Sequence, residues 1–148
     1  MKKKTVIITC AALSVLIPSY FLFFRKAEII FVQHIDGVTD IVVKKFPVTQ
    51  RGRVSWWEDN QDMLKYKYGI PERDKNGVYY IAISDVSDGF KKASEENFSV
   101  WYSLSRSDLL CFDQIKSENR CIEKNVLMEI MSTKVGEMSY MFDGEYIN

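Results

Sequence analysis

The sequence predicts an α+β domain with a mostly antiparallel sheet and one main helix, standing behind an N-terminal transmembrane helix. Three observations carry this. The run from Thr5 to Phe24 contains no charged side chain. The remainder reads as two strands, a helix and then four strands, an order that suits an α+β layer. Asp36-Gly37 gives the first two strands a tight turn, and Gly69 followed by Pro71 gives the helix a defined end. The boundaries that follow are 1–26 for the anchor and 27–148 for the folded domain.

The apolar segment comes first. Val6 to Phe24 is 19 residues, which as a helix is about 28 Å long, against a hydrocarbon thickness of about 30 Å. A cleavable signal has a shorter apolar core, about 7–15 residues, and ends in small residues. Here the run ends in Tyr20-Phe21-Leu22-Phe23-Phe24, followed by Arg25-Lys26. Bulky aromatics suit an interfacial belt and are wrong for signal peptidase. Pro18 can kink such a helix without preventing it from spanning. Cys10 would be the lipidated residue of a lipoprotein, but Ile7-Ile8-Thr9 before it lacks the small residue such a site needs; the ordinary reading is an apolar side chain facing lipid. Lys2-Lys3-Lys4 favour a cytoplasmic N-terminus and an extracytoplasmic C-terminal domain. The chain is thus read as a signal-anchored, single-pass protein with a periplasmic or external domain.

The charge is unevenly spread. Five basic residues (Lys2, Lys3, Lys4, Arg25, Lys26) flank the apolar run, which leaves 15 basic against 20 acidic residues in the rest, a net charge near −5. That argues against a nucleic-acid partner, since such binding rests on Lys and Arg neutralising phosphates.

No linker rich in Gly, Ser or Pro follows the anchor, so the domain is expected close to the bilayer. Glu28 to Ile35 reads as a strand, and Val38 to Lys45 returns as its hairpin partner. A helix is expected over about Gln50 to Tyr68. Ser55 and Glu58 have capping-box spacing, so its regular part could begin only at Ser55. At 100° per residue, Val54, Trp57, Gln61, Leu64 and Tyr68 share one face, the expected core stripe. Trp56 and Met63 point nearly the opposite way. That second apolar face is either covered by a loop or the terminal hairpin, or it is a candidate partner surface. Asp74-Lys-Asn76-Gly77 reads as a turn and Val78 to Ser84 as a buried strand. Residues 85 to 97 are polar and read as irregular. Phe98 to Leu104 alternates and reads as a strand. Val126 to Ser132 and Glu137 to Phe142 read as a terminal hairpin ending in Asp143-Gly144.

The candidate chemistry is sparse. His34 is the only histidine and reads as an ordinary strand residue. Asp85, Asp88 and Gly89, with Glu95 and Glu96 beyond, could hold a hard cation, but the register is not that of an EF-hand and Asx-turn chemistry accounts for the pattern. Cys111 and Cys121 lie ten apart around a polar stretch, read as an exposed loop or single helical turn. In an oxidising compartment the simplest reading is a disulfide, worth roughly 2.5–3 kcal/mol on the chain-entropy estimate. The alternative, a two-Cys metal site, lacks a second pair or a suitably spaced His. No cofactor is expected.

Several stretches carry a family resemblance. They are Phe46-Pro47, the pair Trp56-Trp57 with Asn60 and Met63-Leu64-Lys65, and Lys67-Tyr68-Gly69-Ile70-Pro71. Leu110-Cys111-Phe112-Asp113 and Cys121-Ile122-Glu123-Lys124-Asn125 follow. The chain resembles a family of uncharacterised enterobacterial membrane proteins, a domain of unknown function, over most of its length. It departs from the family pattern in a longer segment around Lys91 to Ser105. The resemblance implies a topology and supplies no activity, substrate or catalytic residue. The expectation is a binding domain rather than an enzyme, with an unidentified protein partner. One concrete version is an immunity or accessory protein to an envelope-acting toxin, an idea that comes from the resemblance alone. The rivals are an envelope hydrolase using carboxylates near Asp85 and Asp88, and a structural subunit of a membrane complex.

Overall fold

The computed structural model describes Ser14, Pro18 and residues 26–93 and 109–147. Ser14 and Pro18 are helical. The rest of the expected membrane span lies outside the described residues, as does the expected strand from Phe98 to Leu104. Among the described residues no helix is long and apolar enough to cross a membrane.

Strand β1 (Glu28–Ile35) turns directly into β2 (Val38–Lys44). The turn residues Asp36 and Gly37 both have positive φ, 46° and 80°, the backbone that matches the twist of a two-residue hairpin. Gly37 also has no room for a side chain, because a Cβ there would sit 2.7 Å from the Cβ of Asp74. The loop carrying Asp74 thus rests on the hairpin tip.

Helix α1 (Gln50–Tyr68) follows. Its N-cap is Thr49, whose Oγ1 accepts the Gly52 amide at 3.1 Å. The regular helix therefore begins at Gln50, five residues ahead of the Ser55 box. Ser55 instead donates to Asp59 at 3.4 Å within the helix. Gly69, at φ 72°, closes the last turn with its amide on Lys65 O, and the Ile70 amide reaches back to Leu64 O. The Ile70–Pro71 peptide is cis.

Strand β3 (Tyr79–Asp85) lies parallel to β2. A helix between two strands is the connection that permits this, since parallel neighbours need a long crossover. The two short strands β4 (Lys91–Lys92) and β5 (Leu109–Cys111) come next, then β6 (Asn119–Glu123), β7 (Val126–Ser132), β8 (Met138–Phe142) and β9 (Glu145–Ile147). One sheet has the order β1-β2-β3-β7-β8-β9, antiparallel except for β2–β3; the other has the order β4-β6-β5. The mostly antiparallel α+β reading holds. It missed the parallel central pair, the second sheet and β9, which Asp143-Gly144 introduces as a turn instead of ending the chain's structure.

The main core lies between α1 and one face of the large sheet. Trp57 and Leu64 from the helix meet Ile41, Val43, Ile81, Ile83, Met128, Ile130 and Phe142, all buried. Of the expected stripe, Trp57 and Leu64 are fully buried, while Val54, Gln61 and Tyr68 lie at its half-buried margins. A smaller core on the other face joins Val42 and Phe31 to Phe112, which directly follows β5, and to Ile122 of β6. The Phe31 and Phe112 rings meet at 5.2 Å. Cys111 and Cys121 face one another across β5 and β6 and form a disulfide. The cysteines are thus register partners in a strand pair, and the polar residues between them form its turn rather than a helical turn.

Candidate functional site

Successive side chains of a strand leave the sheet on opposite faces. The positions between the core residues of the large sheet therefore point away from α1, and the ladder registers set them in rows. The row nearest the β1–β2 turn holds Ile35, Val38, Tyr80, Met131 and Ser139. The next holds Gln33, Asp40, Ala82, Glu129, Met141 and Tyr146. The third holds Phe31, Val42 and Ser84, and the small sheet covers it through Phe112 and Ile122.

The first two rows are only partly covered, with Gln33 and Ala82 buried within the second. Ile35 is 53% exposed, Val38 45% and Tyr146 59%. Ile35 and Val38 are direct cross-strand partners, so their apolar surface is contiguous. Tyr80, Met131 and Met141 continue the face as half-buried side chains. Tyrosine and methionine are residue types enriched where proteins meet, whereas single scattered apolar side chains are ordinary surface.

A polar group sits inside this apolar setting. The Tyr80 hydroxyl donates to Glu129 Oε1. Burial pushes the Tyr80 hydroxyl well above the ordinary tyrosine range, and the bond and negative charge of Glu129, then the charge of Asp40, push it further. Burial also raises the Asp40 carboxyl. Tyr80 is therefore a neutral donor throughout the physiological range. Neither row contains Lys or Arg. The ion pairs among the described residues, His34–Glu72, Lys91–Glu123, Lys92–Glu118 and Arg120–Asp113, involve neither Asp40 nor Glu129.

The residues singled out from sequence lie elsewhere. His34 is a strand residue; its Nδ1 is 3.0 Å from Thr39 Oγ1 and its Nε2 2.9 Å from Glu72. It borders a polar cleft of about 550 Å³ with Asp36, Glu72, Arg73, Asp74, Lys75 and others. Much of that lining holds the loop together. Asp74 Oδ1 accepts the amides of Asn76 and Val78, and the Val78 amide, ahead of the Asn76 bonds, holds its carboxyl below the ordinary range. Arg73 donates to Gly77 O at 2.6 Å and lies over the Tyr79 ring.

Asp85 Oδ1 accepts the Ser87 amide at 3.3 Å, an Asx-type turn. Neither Asp85 nor Asp88 lines this cleft, nor a second one of about 530 Å³ beside Lys92, Asp113 and Arg120. Glu95 and Glu96 lie outside the described residues. Among the described residues no group of three or more His, Cys, Asp or Glu could hold a metal ion. Trp56 is half-buried with its ring edge-on to Phe46, centroids 5.0 Å apart. Met63 is 38% exposed. The second helix face is therefore split, with its tryptophan against the core and its methionine in water.

Sequence reasoning did not single out Asp40, Tyr80 or Glu129. They lie on three different strands, and only the register joins them. The alternation within Val38-Thr39-Asp40 was a usable signal for one strand alone.

No curated protein and no solved structure matches the chain. A family pattern does, across residues 1–148. Its extent takes in the apolar N-terminus, the double-Trp helix and the cysteine pair, and the chain belongs to the family described as Enterobacterial putative membrane protein (DUF943).

Proposed function

We propose that this protein is a single-pass inner-membrane protein whose periplasmic domain binds a protein partner and carries out no catalysis. The observation that carries the reading is the open face of the six-stranded sheet, where Ile35, Val38 and Tyr146 present apolar surface beside Tyr80, Met131 and Met141. An apolar sheet face in water costs free energy that a partner recovers by covering it. The uncharged run from Thr5 to Phe24 supports the anchor. The Cys111–Cys121 disulfide supports an oxidising compartment. Membership of a family described as membrane proteins agrees with both.

The test is a photo-crosslinking residue placed at Val38 or Tyr146 in the full-length protein in living cells. One discrete adduct from these positions, and none from Lys75 on the hairpin-tip loop, is the expected result. No adduct from either face position would refute the proposal. An immunity or accessory role is the concrete version to try first: co-expression beside a neighbouring toxin gene should protect sensitive cells, and absence of protection removes it.

A further inference from the structure

The middle row of the open face is rich in hydrogen-bond acceptors and short of donors. Gln33, Asp40 and Glu129 lie along it, with Ala82 between the two carboxylates. Ala82 is 7% exposed and carries only a methyl group, so no long side chain of its own stands between the two carboxylates. Gln33 is 9% exposed, and its Oε1 is buried with no hydrogen-bond partner. Its register partner on β2 is Asp40. A buried acceptor without a donor is unfavourable, so the row carries an unmet demand for an N–H group at Gln33. Tyr80 supplies one O–H to Glu129. The two rows themselves contain no cation.

We infer that this face receives a partner segment bearing an arginine, with the guanidinium held by Asp40 and Glu129 over Ala82 and apolar side chains on either side of it packed against Val38, Met131, Met141 and Tyr146. The inference rests on the reading of this face as a binding surface and names the chemistry of what it binds. Arginine fits better than lysine because its planar fork carries five donors and is more weakly hydrated than an ammonium, so it enters a half-buried acidic site at lower cost. The domain's surplus of acid, 20 acidic against 15 basic residues beyond Lys26, favours the approach of a basic segment. Ile35, Val38 and Tyr146 are exposed in the free protein, and a partner segment that covers them would keep water from the pair and strengthen it.

The test uses the full-length protein in lipid nanodiscs with methyl-labelled methionine. The probes are two peptides, acetyl-Ser-Leu-Arg-Leu-Ser-amide and the same peptide with Gln in place of Arg. The arginine peptide should shift the Met131 and Met141 methyl signals saturably, and the glutamine peptide should bind about tenfold more weakly or worse. The double variant Asp40→Asn, Glu129→Gln should bring the two peptides to equal affinity. Asn and Gln keep the side-chain shapes, and an unchanged methyl spectrum of the free variant checks the fold. Equal shifts by both peptides on the wild-type protein would overturn the arginine site while leaving an apolar binding face. Shifts that depend only on protein concentration would make a second copy of this chain the occupant and overturn it too. If neither peptide moves these signals the arginine site also falls; crosslinks from Val38 would then keep the binding face, and their absence would remove both.

Discussion

Replacing both Cys111 and Cys121 by alanine should destabilise the domain by about 2.7 kcal/mol. The figure follows from the loop alone. The two cysteines are ten residues apart, and closing a loop of that length removes about 9 cal/mol/K of entropy from the unfolded chain. The native state adds a local reason for the bond to matter. Phe112 follows Cys111, and Ile122 follows Cys121; both are fully buried against Val42. The disulfide thus clips together the two strands that cover the third row of the large sheet. The assay is urea unfolding of the full-length protein in mild detergent, with and without reductant. A slope of about 1–3 kcal/mol per M for small domains turns the loss into a midpoint shift of roughly 1–3 M. Reductant should move the wild-type protein by a similar amount and the double variant not at all. Hydrogen exchange should quicken first at residues 109–123. A variant midpoint within about 0.3 M of the oxidised wild type, or a reductant effect that survives in the variant, would refute this account.

Four further outcomes are expected. Asp40→Asn should raise the urea midpoint at neutral pH, because burial raises the Asp40 carboxyl above 3.8 and so penalises its charged form in the folded state. The gain should shrink as pH falls through the folded value toward 3.8, where wild-type Asp40 is also neutral; a gain that persisted at low pH would contradict this. Thr49→Ala should cost about 1 kcal/mol by removing the N-cap acceptor of the Gly52 amide, and Thr49→Ser much less, by thermal unfolding. Trp57→Ala should cost about 3–5 kcal/mol. Trp57→Phe should cost less, since it keeps an aromatic ring in the core and removes an indole N–H that is buried without a partner; equal costs for the two would contradict this. Alkaline phosphatase fused after Asn148 should be active and a green fluorescent protein at the same place dark, and the reverse would invert the proposed topology.

The legible parts of the fold were those written in local chemistry. The Asp36-Gly37 turn, the Gly69 stop and the apolar β3 all appear where sequence puts them, because each depends on φ, a missing Cβ or a continuous apolar run. The helix runs from Gln50 to Tyr68 as the sequence puts it, and the alternative later start at Ser55 fails because Thr49 offers an earlier oxygen; a cap is decided by which hydroxyl actually meets the amide of the first turn. The small sheet was missed for another reason. Its strands are as short as Lys91–Lys92 and Leu109–Cys111, too short to show a period, and long-range pairing decides them. The open face was hidden in the same way. Asp40 reads as a polar residue in a strand, and Glu129 as another, until the register sets them either side of Ala82.

The directness of the first strand has a consequence for reach. β1 starts at Glu28, two residues after Lys26, and runs to the Ile35–Val38 corner in eight residues. Eight residues of strand rise about 26 Å. Behind a membrane anchor, a corner on so short an arm would stay close to the bilayer. If an anchor precedes it, the partner must come to within about 30 Å of the bilayer, and a partner that is itself held at the membrane would search for this corner over a surface instead of through a volume. Confinement of that kind raises effective concentration without any added contact, so a face of modest intrinsic affinity would suffice there and would look weak when measured free in solution.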